Sequence, residues 1–267
     1  MSETNAGDFL RKRIQLRLPR MDEVVVRREL PHQATGAEGV VDIYRLPQGS
    51  AGPAAGVVIV TGYADTIADG RRRSYKDIGW TQSMAESIAA SGLAAITYTA
   101  REPAADLRDV LISIGVHARE WQLDPQRLGV LAVSGNVPTA LSAVMSDSDV
   151  PVTCAVFEYG CLLDLDGSTA VADAAKAFGF ANPVHGRTLD DLRSDLPLLV
   201  VRAGRDQFPA MNASIDRFVT GALDRNLPLT LINYPAGAHA FDLVDDSRAG
   251  TNVVRQVLTF LQLHLAA

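Results

Sequence analysis

Cysteine is scarce: Cys154 and Cys161 are the two in a chain of 267 residues. They stand seven positions apart, with no CxxC pair and no Cys/His cluster around them. They suit neither a disulfide scaffold nor a zinc site. Cys154 falls in an apolar run and reads as a buried core thiol. Long hydrophobic runs are also missing. No segment approaches the roughly 18 apolar residues of a spanning helix, and no apolar stretch follows the early charges as it does in a signal peptide. No membrane partner and a cytoplasmic location are therefore expected. Excess basic charge is absent as well. The chain has 25 Lys and Arg against 31 Asp and Glu, a net charge of −6. That argues against nucleic acid as a partner, because a phosphate-binding face must be positive. No GxxxxGK[ST] loop appears, and no GxGxxG follows a strand, which speaks against a nucleotide enzyme. Repeats and low-complexity blocks are absent.

What is present is an ordinary globular balance, 47% hydrophobic and 21% charged,. The length suits one large α/β domain or two small ones, so the order of elements must decide. Arg11, Lys12, Arg13, Arg17 and Arg20 fall in the first twenty residues. Together with the run Arg71–Arg73 they read as solvated surface. Residues 1–20 are expected to form a loose N-terminal arm before a domain at 21–267. Glu23–Arg28 and Gly39–Leu46 are β-branched and alternating, and predict a leading antiparallel pair. Pro47–Gly56 reads as a loop. After it, short runs apolar on both faces alternate with helical patterns. The runs are Gly56–Thr61, Ala94–Thr99, Leu128–Val133, Val152–Phe157, Pro197–Arg202 and Leu229–Tyr234. The helical patterns are Trp80–Ser91, Ala104–Trp121, Pro138–Ser146, Ala210–Asp224 and Thr251–Leu265. This rhythm predicts an α/β fold: about eight strands, mostly parallel, with helices on both faces. The stretch 160–195 lacks a strong strand, contains one helical piece at Ser168–Ala177, and reads as a small cap inserted over the sheet edge.

In an open parallel sheet, ligands bind beyond the carboxyl ends of the strands. Ser134-Gly135-Asn136 follows the Leu128–Val133 run and precedes a helix. A serine on such a sharp turn exposes its hydroxyl, and the next N–H faces the same space. Crowding there calls for small residues two positions to each side; these are Ala132 and Asn136, and Asn136 is the weaker part of the match. Asp206 follows Pro197–Arg202. His239 follows Leu229–Tyr234 on a small-residue loop. Of the five histidines, His117 and His264 fall in helical patterns, His32 in an early loop and His185 in the cap. Ser134, Asp206 and His239 thus follow three different core strands, at steps of 72 and 33 residues.

That combination predicts nucleophilic catalysis. A serine hydroxyl needs a base, His239, and the base needs an orienting carboxylate, Asp206. The oxyanion formed on attack needs donors: Gly135 N–H is one candidate. Tyr63 N–H, in the loop Thr61-Gly62-Tyr63, is the other. Glu158, after Val152–Phe157, remains an alternative acid, while Asp242 lies too close in sequence to His239 to orient it. Arg101, after Ala94–Thr99, is a candidate for recognising a substrate carboxylate or for a local ion pair. Tyr63, Tyr159, Leu162, Leu163, Phe208 and Phe241 flank these loops as candidate walls of an apolar pocket. Tyr159, Phe208 and Arg101 are the expected substrate-binding side chains.

The pieces VIVTGY, AVSGN with the following VPTAL, VVRAGRD and GAHAFD resemble the α/β-hydrolase superfamily, and within it the dienelactone-hydrolase-like and esterase-like bacterial branch. The resemblance spans roughly residues 38 to 265. It implies a Ser134–Asp206–His239 serine hydrolase with no cofactor, acting on a small-molecule acyl substrate. Dienelactone hydrolases proper carry a cysteine at the nucleophile position. Here Ser134 stands there, so their substrate does not carry over. The His-Gly-Gly run of many lipases is also missing. The expected reaction is cleavage of a small or medium acyl ester. A peptidase, a thioesterase, a non-hydrolytic acyl-transfer or lyase enzyme, and a ligand-binding protein on the same fold remain alternatives, because the fold alone does not choose among them. Homo-oligomerisation stays open.

Overall fold

The computed structural model describes residues 10–32, 39–47, 52–68, 71–145 and 152–265. Residues 1–9 of the expected arm, 48–51 of the expected loop and Ser146 at the end of an expected helix lie outside them. The strands are β1 (Val25–His32), β2 (Gly39–Arg45), β3 (Ala54–Val60), a short ribbon of β4 (Thr66–Ala68) and β5 (Arg71–Arg73), β6 (Ala94–Tyr98), β7 (Leu123–Val133), β8 (Val152–Glu158), β9 (Leu198–Ala203) and β10 (Leu229–Tyr234). The main sheet has eight strands in the order β1-β2-β6-β3-β7-β8-β9-β10. β2 runs antiparallel to both of its neighbours, and every pairing from β6 to β10 is parallel. The helices are α1 (Gly79–Ala90), α2 (Pro103–Trp121), α3 (Val137–Met145), α4 (Ala170–Phe178), α5 (Met211–Asp224), the short α6 (Phe241–Val244) and α7 (Arg248–Leu265).

Because successive strand residues face opposite sides, each strand feeds two cores. Val58 and Val60 join α2, α3 and α5 on one face, through Leu107, Ile114, Leu141 and Phe218. Val57 and Ile59 join α1 and α7 on the other, through Met84, Ile88, Val257 and Leu261. Two-sided burial is why these strands read as unbroken apolar runs.

Three expectations need correction. Residues 10–20 are no loose arm. Ile14 and Leu16 are buried, Ile14 N–H donates to Ser83 Oγ at 2.9 Å, and a Cβ on Gly79 of α1 would fall 2.5 Å from the Arg11 and Lys12 carbonyls. The two apolar residues alternate with Arg13, Gln15 and Arg17, too short a pattern to stand out among the charges. His32 is no loop residue but the buried end of β1. The expected loop ends early, since β3 already starts at Ala54.

The excursion between β3 and α1 is anchored by charge. Asp65 accepts from Ser74 Oγ at 2.8 Å and from Tyr75 N–H at 2.9 Å. Next to them the buried Lys76 ammonium donates to Glu29 at 2.6 Å, Asp77 at 2.9 Å and Asp42 at 3.1 Å. These carboxylates hold the Lys76 pKa above its ordinary value despite burial. Asp42 is buried as well, so removing Lys76 from that pair is expected to cost about 3–5 kcal/mol,, and the loop that starts at Gly62 is tethered at its far end.

Candidate active site

Ser134 sits where β7 gives way to a 3-10 turn (Ser134–Asn136) and then α3. Its φ is +57°, a left-handed conformation that costs a residue with a side chain about 1–2 kcal/mol. Close backbone packing holds it there. A Cβ on Gly62 would stand 3.0 Å from Ser134 Cβ. One on Gly160 would fall 2.6 Å from the Ser134 carbonyl oxygen and 2.3 Å from Val137 Cγ2. Ala132 is fully buried. Asn136, the departure from the usual glycine, is buried and donates from Nδ2 to the Thr61 carbonyl at 2.7 Å. Its extra bulk thus becomes a hydrogen bond that ties the turn to the Gly62–Tyr63 loop, something glycine cannot do.

The three sheet-end loops converge. Ser134 Oγ lies 2.7 Å from His239 Nε2, and His239 Nδ1 lies 2.7 Å from Asp206 Oδ2. A carboxylate only accepts, so Nδ1 donates and Nε2 is left to accept from the serine hydroxyl. The Asp206 side chain is 1% exposed and that of His239 11%. The other Asp206 oxygen accepts Phe208 N–H at 2.9 Å. The loops after β9 and β10 are locked together by Arg205 N–H donating to the Gly237 carbonyl at 2.7 Å. A Cβ on Gly204 would meet Pro235 at 2.6 Å, which is why glycine precedes the Arg-Asp pair.

His239 Nδ1 meets Asp206 and not Glu158. Glu158 ends β8 in register with Val133 and Val201, is 1% exposed, and has one carboxyl oxygen without a partner among the described residues. Burial and the nearby Asp242 charge push its pKa well above the ordinary carboxylate range. Asp242 is buried three positions beyond His239, and its carboxylate is taken up elsewhere. It accepts from Trp80 Nε1–H and, at 2.9 Å, from Tyr159 OH. Tyr159 presents its ring edge-on to His239 at 5.1 Å. These contacts back the imidazole from behind.

Two apolar pockets open beside Ser134 and His239. The first encloses about 550 Å³ including its mouth and lies between the Gly135 turn and α4, with Phe178, Phe180, Phe208 and Met211 in its wall. The second encloses about 540 Å³ under the Gly62 loop, walled by Tyr75, Ile78, Trp80, Tyr159 and Leu243. Tyr63 borders both. Gly135 and Tyr63, the candidate oxyanion donors, therefore face the same space as the serine. Phe208 lines the first pocket and Tyr159 the second. Arg101 lines neither. It is exposed, and its N–H caps the start of α2 through Asp106 Oδ2 at 2.6 Å. β3 separates β6 from β7 in the sheet, so the loop carrying Arg101 opens to one side of the pockets. Leu162, Leu163 and Phe241 are core residues outside both linings.

Phe178, Phe180 and Trp80 were missed as wall residues. The signal for Phe178 was the stripe Val171, Ala174, Ala175, Phe178, one face of α4 at helical spacing, and all four line the first pocket. That helix is fixed by Asp164, whose carboxylate accepts Val171 and Ala172 N–H at 2.8 and 3.1 Å, and it ends at Gly179 with φ +72°. Among the described residues no three His, Cys, Asp or Glu side chains gather as a metal site would need, and no helix is long and apolar enough to cross a membrane.

No protein-family model matches the chain, and no curated protein matches it in sequence. Solved structures do match. A bacterial heroin esterase superposes with a TM-score of 0.71 at 18% identity, covering 92% of this chain and 86% of that one. Brefeldin A esterase, described as a bacterial homologue of human hormone-sensitive lipase, gives 0.70 at 16%, covering 99% and 83%. A fungal esterase from Rhizomucor miehei gives 0.72 at 10%, covering 99% and 89%. At such identities the likeness shows the fold, the open eight-stranded α/β-hydrolase sheet, and does not select a branch within it.

Proposed function

We propose that this chain of α/β-hydrolase fold is a serine hydrolase cleaving a small or medium carboxylic ester through Ser134, His239 and Asp206. The observation that carries this reading is the unbroken line from Ser134 Oγ through His239 to Asp206, at 2.7 Å in each step, with the serine on a strained turn at the mouth of two pockets.

In this mechanism His239 Nε2 takes the Ser134 proton as Oγ attacks the ester carbon. The carbonyl π pair moves onto oxygen, and Gly135 and Tyr63 N–H groups stabilise that charge, each worth about 3–4 kcal/mol of barrier. Asp206 stabilises the imidazolium that forms. Collapse of the tetrahedral adduct re-forms the carbonyl and expels the alkoxide, which takes the proton from His239 and leaves as the alcohol. Water then attacks the acyl-serine by the same steps in reverse order and releases the acid. Thioester or amide cleavage would use the same groups and differ only in the leaving atom.

The test is labelling with a fluorophosphonate probe and turnover of short nitrophenyl esters. The expected result is an adduct mass on the Ser134 peptide and a loss of about four to six orders of magnitude in kcat in Ser134→Ala. Full activity in that variant, or no adduct at Ser134, would overturn the proposal.

A further inference from the structure

Aromatic rings run in contact from the histidine around the first pocket. Phe208 meets His239 edge-on at 4.5 Å, and Phe178 meets Phe208 edge-on at 5.4 Å. Phe178 then reaches Phe180 at 6.2 Å, and Phe180 reaches Tyr63 at 5.4 Å. Phe180 lies directly on the nucleophile turn, since a Cβ on Gly135 would fall 2.3 Å from its ring. Between these rings the lining is apolar, with Pro138, Val171, Ala174, Pro209 and Met211 among it. Among the described residues no Lys, Arg, Asp or Glu side chain lines this pocket or the second one. Two of the rings stand at the mouth partly in water, Phe178 at 51% and Tyr63 at 45% exposure.

Each of these facts restricts the guest. A charged group entering such a lining loses its hydration and finds no counter-charge. An alkyl chain gains only the area it covers, including the exposed faces of Phe178 and Tyr63. A ring gains that area and also edge-to-face or offset contacts with several wall rings. The pocket is open to solvent at its mouth, where Phe178 and Tyr63 are half-exposed, so a ring can lie against these faces with its linker toward Ser134. We propose, building on the ester-hydrolase reading, that the pocket beneath α4 receives an uncharged aryl or arylalkyl group of the ester, and that Phe178, Phe180 and Phe208 select it.

The experiment measures binding apart from turnover. Ser134→Ala protein is titrated, by ligand-observed NMR, with two matched pairs: benzyl acetate against butyl acetate, and ethyl phenylacetate against ethyl hexanoate. In at least one pair the ring-bearing ester is expected to bind about tenfold tighter, the scale of one or two aromatic contacts. Phe178→Leu in the same background is expected to lower that ratio to about threefold, the loss of one such contact; the half-exposed site keeps the fold out of the comparison. Phenylacetate anion is expected to bind at least about tenfold more weakly than its ethyl ester. Ratios near one in both pairs, an unchanged ratio in Phe178→Leu, or equal binding of the anion would each overturn the proposal. Hydrolysis of the same esters by the unaltered protein is followed separately. Ring preference without turnover would remove the hydrolase reading and leave this pocket assignment standing. Turnover without ring preference would do the reverse.

Discussion

The turn after β7 and the cap that faces it share one pocket, yet they are held by different means. Around Ser134 the main chain is closely packed: Gly160 leaves no room for a methyl group against Val137 and the Ser134 carbonyl, one on Gly62 would stand 3.0 Å from Ser134 Cβ, and the Asn136 side chain ties the turn to the Thr61 carbonyl. Across the pocket, α4 presents alanines and the half-exposed Phe178, whose ring meets the rings of Phe180 and Phe208. A position fixed by main-chain crowding tolerates almost no change, whereas a wall of side chains on a short helix can be re-cut residue by residue. Under the proposed function, reaction geometry belongs to the sheet ends and substrate choice to α4.

The sharpest way to break this contrast is Gly160→Ala. Its new methyl group would press on Val137 and on the Ser134 carbonyl. Overpacking there is expected to cost about 1–3 kcal/mol of stability, and a shift of the serine of about 1 Å would cost about a hundredfold in kcat/KM. Denaturant melts and ester kinetics read both. Unchanged values would mean that the turn is as adaptable as the cap. The smallest effect is expected on the other side: Phe178→Ala should lower stability by about 0.5–1 kcal/mol, the worth of its ring contacts. A loss of several kcal/mol in the same melts would show that the cap is instead a rigid part of the domain.

Five of the six later runs are legible because burial on both faces leaves a plain mark; the sixth, β10, is a partly exposed edge strand, and β7 starts five residues before its expected beginning. Ser134, Asp206 and His239 were legible as residues of the right type on loops after three core strands, and the sheet brings those loops together. What escaped was tertiary. The bond from Asn136 to Thr61 spans 75 positions, and no local pattern announces it; from sequence the asparagine looked like a flaw. Arg101 was at the correct end of its strand, but strand order in space put β3 between it and the serine. The β4–β5 ribbon, three residues on each side, is too short to show a period. In the cap, Phe178 obeyed a helical stripe, whereas Phe180 reaches the pocket from beyond the helix end, where periodicity no longer applies.

Glu158 carries a consequence for the molecule's acid–base balance. Burial beside Asp242 raises its pKa in the folded chain, while an unfolded glutamate titrates near 4.3. Between those two values the native state holds a proton that the unfolded chain releases, so folding in that range takes up a proton from solvent. By linkage this contribution is fully present below about pH 4 and is lost as pH rises toward the folded value, at up to about 1.4 kcal/mol per pH unit. Glu158→Gln, which keeps the shape without the proton, should flatten the fall in stability as pH rises above about 4. Parallel pH profiles for the two proteins would place the proton elsewhere.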